Sequence, residues 1–100
     1  MIGVKVIFTP KEQVPDEEMR KTLGELVEVY KEVPGLKSKY FLFDPKTGEV
    51  GGFYIFESQE ARQEYLKTDL WKNAVIASAK GEPKVESFVI TATLDAGVLL

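Results

Sequence analysis

Residues 35–56, GLKSKYFLFDPKTGEVGGFYIF, constrain the fold more than any other stretch. Two runs rich in aromatic and branched residues flank Asp44-Pro45-Lys46-Thr47-Gly48-Glu49. Pro45 is pre-set for a turn and Gly48 can take positive φ, so the segment suits a four-residue hairpin loop. With Asp44 facing Glu49, the register follows. Phe43 opposes Val50, Leu42 opposes Gly51, Phe41 opposes Gly52, Tyr40 opposes Phe53, and Lys39 opposes Tyr54. One face then carries Leu36, Ser38, Tyr40, Leu42, Gly51, Phe53 and Ile55. The other carries Lys37, Lys39, Phe41, Phe43, Val50, Gly52, Tyr54 and Phe56. A one-residue slip would exchange the faces of one strand, so the assignment rests on the turn. Neither face reads as solvated, since a sheet with one wet side is more polar there. One face therefore needs helices from this chain, and the other needs cover from outside it. Gly51 and Gly52 weaken the strand they occupy and mark a kink or a close approach.

The remaining segments supply the helices. Residues 1–9 alternate, with Ile2, Val4, Val6 and Phe8 on one side, as a strand does. After a polar loop with two prolines, a helix begins with a cap near Asp16. Its inward stripe is Met19, Leu23, Leu26, Val27 and Tyr30. Pro34 and Gly35 stop it. Ser58 caps a second helix that turns Ala61, Tyr65 and Leu66 inward. Thr68 and Asp69 interrupt it, and residues 70–79 restart as a shorter apolar helix containing Trp71. Residues 84–94 read as a fourth strand, and residues 95–100 as a short tail. The apolar end at residues 98–100 either frays or packs on a partner subunit. The order β-α-β-β-α-β is the ferredoxin-like pattern of an α+β protein with an antiparallel four-stranded sheet. One hundred residues make a single domain, 1–100.

Composition excludes several kinds of chemistry. The chain has no histidine and no cysteine, which removes His-ligated haem, His or Cys metal sites and His-dependent nucleophilic catalysis. No cofactor and no metal are expected. The net charge of −3 and scattered basic residues argue against nucleic acid as a partner. No apolar run has membrane-spanning length, and residues 1–8 alternate instead of forming a signal core. No membrane association and a cytoplasmic location are the expectations.

Gly35, Leu36, Lys39, the turn Thr47-Gly48-Glu49, and the strand Gly51-Gly52-x-Tyr54-x-Phe56 together resemble the YdhR-like monooxygenases. These belong to the dimeric α/β barrel superfamily of antibiotic-biosynthesis-monooxygenase type. The resemblance implies a homodimer in which two four-stranded sheets pack face to face, which would cover the second apolar face. It also implies a cofactor-independent oxygenase, an isomerase or decyclase of related build, or a protein without catalysis. The absence of histidine departs from members that use one as base or haem ligand.

Lys39 and Tyr54 are the candidate catalytic pair. A lysine beside a phenol in an apolar cavity can hold an enolate or phenolate. The competing reading is a lysine whose stem runs along Phe41 to solvent. Lys37 shares its parity but sits nearer the strand end. Phe41, Phe56, Tyr65, Trp71 and Asn73 are the candidate substrate-binding residues, although Tyr65 and Trp71 suit a core better and Asn73 a surface. The leading expectation is a cofactor-independent monooxygenase acting on an apolar cyclic or aromatic molecule bound between sheet and helices. The alternative is a non-catalytic small-molecule-binding or stress-related homodimer.

Overall fold

A computed structural model describes residues 1–94, so the tail that includes residues 98–100 lies outside the described residues. The elements are β1 (Ile2–Phe8), α1 (Asp16–Tyr30), β2 (Leu36–Phe43), β3 (Val50–Phe56), α2 (Gln59–Leu66), α3 (Asp69–Trp71) and β4 (Lys84–Val89). A π-helical turn, Lys72–Ile76, continues α3. The sheet order is β2-β3-β1-β4 with every pairing antiparallel. This is the ferredoxin-like α+β fold that the element order predicts.

The hairpin register matches the turn chemistry. Asp44 N–H donates to the Glu49 carbonyl at 2.9 Å and Gly48 N–H to the Asp44 carbonyl at 2.7 Å. Lys39 opposes Tyr54 and Phe43 opposes Val50. The register breaks between Leu36 and Ser38, where Lys37 bulges out. That bulge corrects the expected position of Leu36. It leaves the Tyr40 face and packs against the core.

The glycine pair has separate causes. A Cβ at Gly51 would collide with the Val6 backbone carbonyl on the neighbouring strand. A Cβ at Gly52 would lie 2.6 Å from Lys39 Cε. Gly51 therefore lets β1 and β3 approach, and Gly52 leaves the space that the lysine stem fills.

Helix α1 differs from expectation at two points. Pro15, not Asp16, holds the cap position and makes no side-chain cap bond. Asp16 is already helical, so with Glu17 and Glu18 it acts through charge on the positive helix end. Val27, expected to point inward, is exposed. The inward line runs Met19, Leu23, Leu26, Tyr30, and Val27 lies about 100° around the helix from Leu26. Ser58 Oγ accepts from Ala61 N–H at 3.1 Å and caps α2 as expected. Thr68 interrupts the second helical region by capping α3, its Oγ1 accepting from Trp71 N–H at 3.2 Å. The following turn is π-helical instead of α-helical, a geometry the spacing did not signal. β4 ends at Val89, not residue 94, because its partner β1 begins at Ile2, opposite Val89.

The core lies on one side of the sheet. Val4, Val6, Tyr54 and Phe56 from the strands meet Tyr30, Tyr65, Trp71 and Val75 from the helical layer. Each fully buried large side chain contributes about 1.5–3 kcal/mol. Among the described residues no helix covers the other side, where Tyr40 and Phe88 remain half exposed. No described helix is long and apolar enough to cross a membrane.

Candidate active site

Strand alternation aims Lys39 at the helical layer, opposite Tyr54. Its Nζ lies 3.3 Å from the Tyr30 ring centroid, 4.1 Å from that of Phe41 and 4.4 Å from that of Tyr54. The amine thus sits among three π faces instead of following Phe41 to solvent. Among the described residues it forms no ion pair. Desolvation pushes its pKa down to about 7. The rings act in the opposite sense, since their negative faces favour the ammonium. Lys37 is the ordinary one of the two, exposed and 3.8 Å from Glu57 Oε2.

Three phenols stand beside this amine. The Tyr65 hydroxyl is 2.8 Å from that of Tyr30 and 3.1 Å from that of Tyr54. All three rings are buried. Burial first, then the neighbouring phenols, raises Tyr54 and Tyr65 above the ordinary phenol range. Both hydroxyls are therefore neutral donors at physiological pH. Three hydroxyls carry three protons, and two bonds join them. In every arrangement one proton is left for a further acceptor.

The other predicted site residues divide clearly. Phe41 meets Tyr30 edge-on at 5.6 Å, and Phe56 stacks beneath Tyr54 at 5.8 Å. Trp71 packs edge-on against Tyr65 at 5.7 Å, two rings removed from the lysine. Asn73 is exposed on the π-helical turn, outside the cluster. Tyr30 is the residue that sequence reasoning missed. Its helical spacing marked it as core, which it is. A buried phenol nevertheless needs a hydroxyl partner, and that requirement could have paired it with Tyr54 or Tyr65.

A chamber of about 30 Å³ opens at Lys39, between Leu23 and Leu26 of α1, Val50 of β3, and Ala74 and Val75 of the π-helical turn. It has room for a water-sized molecule. A larger cleft of about 320 Å³ lies on the other side of Tyr65, lined by Val29, Val33, Pro34 and Leu70, with Glu32 and Glu64 beside it. Among the described residues no group of acidic side chains converges as a metal site.

Residues 5–96 match the family described as "Putative mono-oxygenase ydhR". The chain belongs to that family. The YdhR-family assignment spans both the hairpin and the helical layer that encloses Lys39. Solved structures share the fold. Protein NE2512 of Nitrosomonas europaea, of unknown function, is 20% identical with a TM-score of 0.69, over 96% of this chain and 95% of that one. SnoaB, a cofactor-independent oxygenase from Streptomyces nogalater, is 13% identical with a TM-score of 0.66, over 93% and 95%. An antibiotic biosynthesis monooxygenase is 17% identical with a TM-score of 0.66, over 92% and 100%. No curated protein matches in sequence.

Proposed function

We propose that this YdhR-family protein is a cofactor-independent monooxygenase for an apolar cyclic or aromatic substrate, working as a homodimer. The observation that carries the reading is the Lys39 amine, desolvated among three aromatic faces beside a neutral phenol cluster. An amine with a pKa near 7 is matched to proton abstraction at neutral pH. Lys39 takes a proton from an acidic ring methylene, and the ammonium formed stays beside the new anion. The ring faces stabilise that ammonium. The substrate anion then reduces O₂ itself, with a C–O bond forming at the deprotonated carbon. A proton from the Tyr54–Tyr65–Tyr30 chain passes to the resulting peroxide. Loss of water leaves a carbonyl, so one oxygen atom enters the product and the other departs as water.

A ring needs far more room than the 30 Å³ chamber offers. Binding therefore requires α1 to part from the π-helical turn. Such turns occur often at functional sites, which supports this as the moving wall. The larger cleft beside Tyr65 favours a second reading, a dimer that binds an apolar molecule without reacting with it.

Lys39→Met tests the choice, because it keeps much of the stem and removes the amine. The variant should stay folded, lose O₂ uptake with a polycyclic phenol bearing an acidic ring methylene, and bind the phenolate about 1–3 kcal/mol more weakly. Binding of neutral analogues should change little. Equal phenolate affinity in both proteins overturns the assignment of Lys39. Binding at the Tyr65 cleft with no O₂ uptake by the wild type favours the second reading.

A further inference from the structure

The Lys39 cage suits a second kind of chemistry, which does not depend on the oxygenase reading. We infer that Lys39 is a nucleophilic amine that forms a Schiff base with small aldehydes entering the chamber between β2, α1 and the π-helical turn. Three features support this. The Nζ has no carboxylate partner among the described residues, so no ion pair holds it protonated. The open volume beside it, about 30 Å³, suits a carbonyl compound near water in size, such as formaldehyde, and excludes larger ones. Three ring faces stand where a cationic adduct would develop, the nearest centroid being 3.3 Å from Nζ.

The step balances without an oxidant or reductant. The Nζ lone pair attacks the carbonyl carbon, and the C=O π pair moves to oxygen. A proton passes from nitrogen to that oxygen and gives a carbinolamine. A second proton on the hydroxyl lets it leave as water, while the nitrogen lone pair closes the C=N bond. The resulting iminium is a cation, and aromatic faces stabilise cations. An anionic adduct such as a carbamate would face the same negative π clouds and be disfavoured. Desolvation supplies the neutral amine from which attack begins. The titratable groups facing Lys39 are the phenols Tyr30 from α1 and Tyr54 from β3. β1 and the π-helical turn contribute only Phe8, Ala74 and Val75.

Reductive methylation reads this directly. The native full chain is treated with formaldehyde and cyanoborohydride at pH 7 and sampled over time, and peptide mapping separates Lys39 from the amino terminus and the exposed lysines. Lys39 should be methylated at least about tenfold faster than exposed lysines, because an amine with a pKa near 7 is half neutral at that pH and an ordinary lysine is almost wholly protonated. A bulky aromatic aldehyde should not show this preference. Lys39→Arg should leave the other sites' rates unchanged. Labelling of Lys39 at or below the rate of exposed lysines overturns the inference, as does labelling only after unfolding in denaturant. An equal preference with the bulky aldehyde overturns the size limit.

Discussion

The two faces of the β2–β3 hairpin share one backbone and differ in what completes them. On the inner face, Phe41, Gly52, Tyr54 and Phe56 meet side chains of the same chain, and Tyr54 and Phe56 are almost wholly buried. On the outer face, Tyr40, half exposed, has no layer above it among the described residues. Residues one position apart therefore have opposite fates. The inner face is finished locally and can hold a desolvated amine. The outer face is as apolar in pattern but is left uncovered by the described residues. The desolvated amine of Lys39 is found where cover comes from the chain itself.

Deletion of one ring on each side should break or sharpen this contrast most strongly. Phe56→Ala removes the ring that stacks under Tyr54 and should cost about 3–5 kcal/mol in urea unfolding. Phe88→Ala, on the outer face at 51% exposure, should cost well under about 1 kcal/mol at low protein concentration. Similar losses in dilute protein would mean that the outer face is already covered within the chain.

The outer face also carries the expectation of a homodimer. If sheet packs on sheet there, Tyr40 and Ile55 become buried, and charges at both positions would be unpaired in the interface. The double variant Tyr40→Glu, Ile55→Glu should then weaken self-association at least about 100-fold, near 3 kcal/mol, in sedimentation at micromolar concentration. Its monomer should stay folded, because neither residue belongs to the inner core. A wild type that sediments as a monomer removes the dimer. A dimer indifferent to both charges places its interface elsewhere.

The difference between the faces was legible in the sequence as far as local rules reach. The Asp44-to-Glu49 turn set the register, and alternation then sorted Lys39 and Tyr54 to one side and Tyr40 and Phe53 to the other. Thr68 was legible as an interruption. The bulge at Lys37 was hidden, because it depends on where the chain enters the sheet after Gly35, not on residue type. Tyr30 was legible as core, but its hydroxyl contact with Tyr65 spans 35 positions and is made only by packing α1 against α2. The width of the Lys39 chamber was equally hidden. Periodicity names the residues that line a cavity and gives no measure of how nearly they close it. Asn73 is suggested only by the family resemblance of a Trp with a nearby amide, and the π-helical turn that begins after Trp71 leaves it exposed.

The smallest expected effect tests the inner face alone, through pH. A lysine in an unfolded chain titrates near 10.5, and Lys39 in the fold titrates at about 7. Between these values the unfolded chain binds a proton that the folded chain does not, so stability should rise with pH across that window. Below pH 7 both states are protonated and the cost of burying the ammonium is present in full. Above about pH 10 the trend should reverse. Tyr54 and Tyr65 keep their protons in the fold after an unfolded chain has lost them, so their burial then opposes folding. Desolvation alone sets the value near 7. Attraction to the three rings favours the ammonium and draws the folded pKa back up, so the net gain from pH 7 to pH 10 should be about 2 kcal/mol or less. Measured as the difference between wild type and Lys39→Met, contributions from every other group cancel to first order. The difference should favour the wild type progressively as pH rises from 7 to 10. A flat difference would mean that Lys39 keeps an ordinary pKa and stays an ammonium at neutral pH. The inner face would then lose the one property that separates it chemically from the outer.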